Sequence, residues 1–228
     1  MVFLNLDRCE SCMSLPSLGQ LPYLRELHIT KITRLQKVGL EFYGNGNKAF
    51  NSLRIIKFKD MPNWEEWSTG NQSGSEGFTL LQELYIEGCP KLTGKLPEIL
   101  PSLAKLVIIS CPILSDSMPK VPRLRELEMT GCKTFVSLSE EMMKENKQLQ
   151  TMSISNCSSL VSIHMDGLST TLKSLEISEC RKLQLFHPEM LIEESQCYSV
   201  LKRLCLKSCC DSLTHFQLAL FQSLKIFA

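Results

Sequence analysis

Leu81 to Leu92 reads LQELYIEGCPKL, and its spacing, L-x-x-L-x-I-x-x-C-x-x-L, decides the fold because the chain repeats it. It recurs as LAKLVIISCPIL from Leu103, LRELEMTGCKTF from Leu124, LQTMSISNCSSL from Leu149 and LKSLEISECRKL from Leu172. With one inserted residue it returns as LKRLCLKSCCDSL from Leu201. Upstream, LRELHITKITRL from Leu24 and LRIIKFKDMPNW from Leu53 keep the apolar frame, with Ile32 and Met61 in the cysteine column. MVFLNLDRCESC fits too, with Met1 in the leucine place and Cys9 in the cysteine place. Nine copies begin 21 to 29 residues apart.

The fourth and sixth positions of each copy share one face of a short strand, because side chains alternate with period two. Leu84 with Ile86, or Leu175 with Ile177, therefore point into a core together. One copy cannot bury that face alone, whereas stacked copies make a continuous core and a parallel sheet. The period is that of leucine-rich repeats. The expected fold class is thus α/β: a leucine-rich-repeat solenoid, or horseshoe, with a concave parallel β-sheet and a mostly irregular convex side. Residues 1–228 read as a single array of about nine repeats. At ~4.8 Å per strand the sheet would run roughly 40 Å.

Lys and Arg number 25 against 24 Asp and Glu, so no net field draws the chain to nucleic acid or an anionic membrane. Eleven cysteines would suggest disulfides in a short secreted chain. MVFLNLDRCES lacks a basic start and a continuous apolar stretch, however, so the thiols are expected reduced, in the cytoplasm or nucleus. Seven of them (Cys9, Cys89, Cys111, Cys132, Cys157, Cys180 and Cys209) occupy one column and read as a buried structural ladder. Cys9 and Cys12 form a C-x-x-C, but no second pair accompanies it, so neither metal nor cofactor is expected.

Between strands run Pro-bearing returns such as MSLPSLGQLPYL, Met13 to Leu24, suited to extended or 3-10 pieces. Two returns read as helical: Ser137 to Leu149, with a capping box from Ser137 to Glu140, and His187 to Leu201, opened by Pro188. Two insertions, FYGNGNKAF from Phe42 and WEEWSTGNQSGSEGF from Trp64, read as surface loops anchored at their ends by Phe50 and Phe78. Trp64 takes a core slot, with Trp67 beside it. Met1 falls directly in the repeat frame, and Leu224 and Phe227 open a repeat that does not finish. Bare ends of this kind suggest a fragment of something larger, or a truncated gene product, and the isolated chain is expected to self-associate.

Third, fifth and seventh positions face outward on the concave side, the default binding surface of a curved solenoid. They offer Ile55, Lys57 and Lys59, then Glu83, Tyr85 and Glu87, then Lys105, Val107 and Ile109. Glu126 and Glu128 follow, and Arg203 and Lys207 turn the last repeat basic. Charge blocks around Tyr85, Val107 and Ile109 have the makeup of a protein-contact patch, with charges setting register and encounter rate. Ordinary solvated strand residues would look the same. The histidines His28, His164, His187 and His215 are scattered without a ligand or triad motif, so no catalytic residue and no enzyme activity is expected.

LPSLGQLPYLRELHI (Leu15 to Ile29) with VGLEFYG (Val38 to Gly44) resembles a stretch of plant coiled-coil, nucleotide-binding, leucine-rich-repeat disease-resistance proteins. FNSLRIIKFKDMPNWEEW from Phe50 and LQELYIEGCPKLTGKLPEILPSLAKLVIISCPIL from Leu81 are similar to the next two blocks of that family, in its order. The resemblance implies a C-terminal repeat region that recognises a pathogen effector or a guarded host protein. It also implies a role in holding the receptor inactive, against its nucleotide-binding domain. Protein is then the partner, with neither nucleic acid nor membrane. No G-x-x-x-x-G-K-[ST] loop occurs, since GNGNK at Gly44 to Lys48 has the wrong spacing, so nucleotide switching does not carry over. The substrate-recognition repeats of an F-box ubiquitin-ligase adaptor are the alternative, which the LPSLGQLP and EFYG blocks disfavour.

Overall fold

A computed structural model describes residues 1–44, 49–68, 77–93, 95–114, 118–138, 142, 146–163, 171–184 and 200–209. Nine of its strands form one parallel sheet in the order β1-β2-β4-β6-β7-β8-β10-β12-β13. They are β1 (Phe3–Asp7), β2 (Glu26–Thr30), β4 (Ile55–Lys59), β6 (Glu83–Glu87), β7 (Lys105–Ile109), β8 (Glu126–Thr130), β10 (Thr151–Ser155), β12 (Ser174–Ser178) and β13 (Arg203–Lys207). Each covers the third to seventh positions of one repeat, and the register pairs like with like. Leu27 lies against Ile56, Ile56 against Leu84 and Leu84 against Leu106. Inward residues such as Leu84, Ile86, Leu106 and Ile108 are fully buried. Each contributes about 1.5–3 kcal/mol by leaving water.

Short strands make a second contact on the return side. β3 (Lys37–Val38) pairs with β5 (Glu66–Trp67), and β9 (Ser137–Leu138) pairs with β11 (Ser162–Ile163). Ser137 is therefore a strand residue and not the helix cap its S-x-x-E pattern suggests; Glu140 lies outside the described residues. Nucleating a short helix is unfavourable, while pairing with the adjacent rung satisfies the same backbone groups at once. Nearby, Met142 is helical and its carbonyl accepts the Asn146 N–H at 3.1 Å. The other helical pieces among the described residues are 3-10 turns, Leu18–Gln20 and Leu40–Phe42. The irregular return side holds as expected, and the α half of the α/β label has little to describe. Most of His187 to Leu201, the insertion tips at 45–48 and 69–76, Leu224, Phe227 and the last three histidines lie outside the described residues.

Each strand ends in a left-handed corner at the eighth repeat position. φ is +55° at Arg8 and Lys31, +53° at Asp60, +54° at Ser110 and Glu179, +51° at Asn156 and +47° at Ser208. Only Gly88 (+63°) and Gly131 (+71°) fill the corner with the residue that adopts it freely. A side-chain-bearing residue there costs roughly 1–2 kcal/mol. The corner is kept because its N–H extends the ladder: eight of them donate to the seventh-position carbonyl of the following rung at 2.8 to 3.0 Å, Asp60 to Glu87 and Gly131 to Ser155 among them.

The cysteine column then turns inward. Cys89, Cys111, Cys132, Cys157 and Cys180 are buried free thiols. The Cys89, Cys157 and Cys180 thiols donate to the carbonyls of Glu87, Ser155 and Ser178 at 3.3 to 3.4 Å. Mutual hydrogen bonding with Cys132 and burial push the Cys157 thiol up to about 11. The ladder is thus a set of compact side chains that satisfy the corner they sit in.

Aromatic rings fill the matching region of the long rungs. Trp64 is fully buried, with Trp67 at 5.8 Å and Phe58 at 4.6 Å between ring centroids. Phe50 and Phe78 stack at 5.1 Å, so the ends of both insertions meet on one another. The Trp67 indole N–H donates to the Tyr43 hydroxyl at 2.9 Å. Gly19 lies so close to the Tyr43 carbonyl that a side chain would collide with it, and its own carbonyl accepts the Phe50 N–H at 2.9 Å.

Candidate interaction surface

Alternation leaves the third, fifth and seventh positions on the open face of the main sheet, in three columns that cross every rung. Strand register sets Lys57 beside Tyr85, Tyr85 beside Val107, and Val107 beside Glu128. The residues expected to form a patch do share one face. Most of its charges are already paired across rungs: Lys59 with Glu87 at 3.4 Å, Lys105 with Glu126 at 2.8 Å. Lys57 lies over the Tyr85 ring, its Nζ 5.0 Å from the centroid. The Tyr85 hydroxyl donates to Glu83 at 2.6 Å, and burial, that bond and the nearby carboxylates push its ionisation well above the ordinary range. The hydrogen bond to Glu126 raises the Lys105 pKa and holds its charge. Exposed pairs of this kind contribute about 0–1 kcal/mol each, so they order the surface more than they stabilise the fold.

One expected patch residue is not on offer. Val107 is 3% exposed, although it points to the open face. Its side chain is short, and the longer Tyr85 and Glu128 stand on either side of it in register. The apolar part of the patch is therefore Ile55 and Ile109, both half-buried, with the Tyr85 ring. Arg203 lies on the same face five rungs from Tyr85 and pairs with Glu176 at 2.7 Å; Lys207 is at the far end of its five-residue strand. The two ends of the expected surface are thus separate clusters.

Glu176 faces outward at the fifth position opposite Cys205 and was not counted in the expected patch, although it is the natural partner for an arginine on the next rung. His28 is half-buried and is held by Glu26 at 2.8 Å and the edge of Phe3 at 5.1 Å, more tightly than a solvated residue. Asn146 was also overlooked. It is the one buried polar side chain among the described residues. Its amide N–H groups donate to the carbonyls of Val121 and Leu124 at 2.9 and 3.0 Å, and its oxygen accepts from Gln148 and Leu149 N–H. The signal was available, since Phe50, Phe78, Leu100 and Val121 fill the same place, three residues before a repeat leucine. Among the described residues no three His, Cys, Asp or Glu side chains converge closely enough to hold a metal ion. The open face offers ion pairs, a cation over a ring, hydroxyls and half-buried aliphatic groups.

No family model matches the chain. Its sequence is 35% identical over 202 residues to a disease resistance RPP13-like protein of Arabidopsis thaliana, a match covering 81% of this chain and 19% of that protein. A second Arabidopsis thaliana disease resistance protein, At3g14460, is 44% identical over 117 residues, covering 50% of this chain and 8% of the relative. The chain therefore spans about a fifth or less of the length of these relatives. No helix among the described residues is long and apolar enough to cross a membrane. The rungs form a leucine-rich-repeat array that belongs with the plant disease-resistance proteins and corresponds to a segment of them.

Proposed function

We propose that the chain is the ligand-recognition and autoinhibitory repeat region of a plant intracellular immune receptor, a non-catalytic module working in the cytoplasm or nucleus. The observation that carries this reading is the 35% identity to a disease resistance protein across most of the array. The rigid open face supports it. Backbone bonds fix each outward side chain to its rung, so a partner meets a pre-organised pattern with little ordering left to lose. The half-buried Tyr85 ring beneath Lys57, flanked by Ile55, Glu83 and Glu87, has the aromatic centre and polar rim of a protein-binding hot spot. Its partner is a protein: a pathogen effector, a guarded host protein, or the receptor's own nucleotide-binding domain.

The test is the double reversal Lys57→Glu, Lys59→Glu in the whole receptor, expressed in leaf tissue. It removes the cation from the Tyr85 ring and sets a carboxylate opposite Glu87. The expected outcome is weaker partner binding or spontaneous cell death without a pathogen. Wild-type behaviour in both assays, with normal accumulation of the receptor, would reject the patch.

A further inference from the structure

A different part of the molecule, where the chain enters each strand, shows a charge segregation that the open face does not. Two columns define this rim: the residue before each repeat leucine and the residue after it. In rungs two to nine they hold Arg25, Arg54, Arg123, Arg125, Lys173 and Lys202, and not one acidic residue. The chain as a whole is nearly balanced, at +1, so this is a local separation of charge and not a reflection of composition. All six are exposed. On the open face Lys59, Lys105 and Arg203 meet glutamates across rungs. These six have no ion-pair partner among the described residues; Lys173 alone has a polar one, the Gln150 side-chain oxygen at 3.0 Å.

The backbone beneath them is as regular as any in the structure. From rung two onward, the N–H of the second-position residue donates to the second-position carbonyl of the rung before. Arg54 donates to Arg25, Arg125 to Ala104 and Lys202 to Lys173, and the whole column runs at 2.8 to 2.9 Å. The cations are therefore mounted on a rigid track with rungs ~4.8 Å apart, and they occupy the rungs from Leu24, Leu53, Leu124, Leu172 and Leu201. The row of charge lapses on the rungs from Leu81, Leu103 and Leu149, and on the first of these an apolar side chain stands exposed: Leu80 at 46%, beside Gln82. Tyr23, at 70%, stands next to Arg25 at the other end.

We infer that this rim is a docking surface for an acidic segment of a protein, an extended run of Asp and Glu carrying apolar residues. Exposed arginines pair with carboxylates in a forked geometry, and an extended chain advances ~3.3 Å per residue, so every second or third residue can meet a rung. A nucleic acid is the poorer occupant. The balanced net charge supplies no long-range attraction for a polyanion, and the exposed Tyr23 and Leu80 suit an acidic–apolar peptide better than a phosphate backbone. The inference stands apart from the open-face reading and survives its failure.

The experiment measures fluorescence anisotropy of a labelled peptide, alternating Glu-Glu-Leu over twelve residues, against the purified chain at low and physiological salt. Arg54→Glu, Arg125→Glu, Lys173→Glu is compared with Arg34→Glu, Lys133→Glu, Arg181→Glu, which changes the net charge equally on the opposite side of the strands. The rim variant should weaken binding roughly tenfold or more, with the wild-type affinity falling as salt rises, while the other variant stays within about twofold. The milder Arg54→Gln, Arg125→Gln, Lys173→Gln set should show an intermediate loss and guards against a misfolded reversal. Equal losses in both triple reversals, or no binding at low salt, would overturn the inference. So would tighter binding of a twelve-nucleotide single-stranded RNA than of the peptide, since the surface would then read phosphate.

Discussion

Two stretches of the array solve the same packing problem with different materials. From Leu24 to Leu81 the rungs are 29 and 28 residues long and carry the two insertions, whereas from Leu81 to Leu172 they run only 21 to 25. In the long rungs the ninth position holds Ile32 and Met61, and Phe42, Phe50, Trp64, Trp67 and Phe78 crowd the return side around the strand residue Phe58, with centroids 4.6 to 6.5 Å apart. In the short rungs the ninth position is Cys89, Cys111, Cys132 and Cys157, and the return side is filled mainly by aliphatic side chains such as Leu92, Leu96, Leu100 and Leu160, with Phe135 the one buried ring there among the described residues. Extra chain on the return side widens the interior, and large flat rings fill the added volume. A tight return leaves room only for a thiol that can also bond the carbonyl two residues before it. Between Leu24 and Leu172 a longer return goes with aromatic filling, whereas the 29-residue rung from Leu172 keeps Cys180 at the ninth position, so length alone does not set that residue.

The contrast breaks most sharply at Trp64. Trp64→Ala opens a cavity among Phe58, Trp67 and the rung above, and should cost about 4 kcal/mol in chemical denaturation. A loss near 1 kcal/mol would mean the aromatic cluster only decorates the long rungs. Asn146→Leu asks whether a short rung can accept the apolar filler used elsewhere in that column. It leaves two carbonyls and two N–H groups without their partner, so about 2–3 kcal/mol should be lost despite the gain in hydrophobicity. A neutral result would show that the backbone can close that turn by itself, as it does where the Leu81 N–H donates to the Phe78 carbonyl.

The smallest effect is titration. Cys157 ionises near 11 in the fold, above its value of 9 when unperturbed, so the folded state holds its proton more tightly. The stability this contributes is complete below pH 9 and is lost as pH rises through 11. Burial drives Tyr43, in the aromatic half, further up still. Hydrogen exchange between pH 9 and 11, corrected for intrinsic rates, should therefore loosen rungs from Leu149 to Cys180 before those from Phe42 to Phe78. Uniform loosening would remove the distinction.

The strand face could be read from residue spacing because period-two alternation is local: Leu84 and Ile86 point together whatever lies on the next rung. Phe50, Phe78 and Trp64 were placed for the same reason, by counting from the nearest repeat leucine. Val107 could not be, since its burial depends on the lengths of Tyr85 and Glu128, which belong to other rungs. Ser137 misled because an S-x-x-E pattern is satisfied by helix and loop alike, and the pairing with Ser162 that decided the matter lies 25 residues away. The left-handed corners escaped notice because Arg8, Lys31 and Glu179 give no hint of positive φ. Asp60, Gly88, Gly131 and Asn156, aligned in one column, do give it.

Those corners have a consequence for how such a molecule can change in size. Each rung donates one corner N–H forward and receives an identical bond from behind, whatever side chain sits there. The joint between neighbours is therefore universal, like the linkage in a polymer whose degree of polymerisation is free. A duplication or deletion of one whole unit between Leu103 and Leu172 would leave each corner N–H a carbonyl on the next rung, and would alter how far apart the two ends of the surface are held.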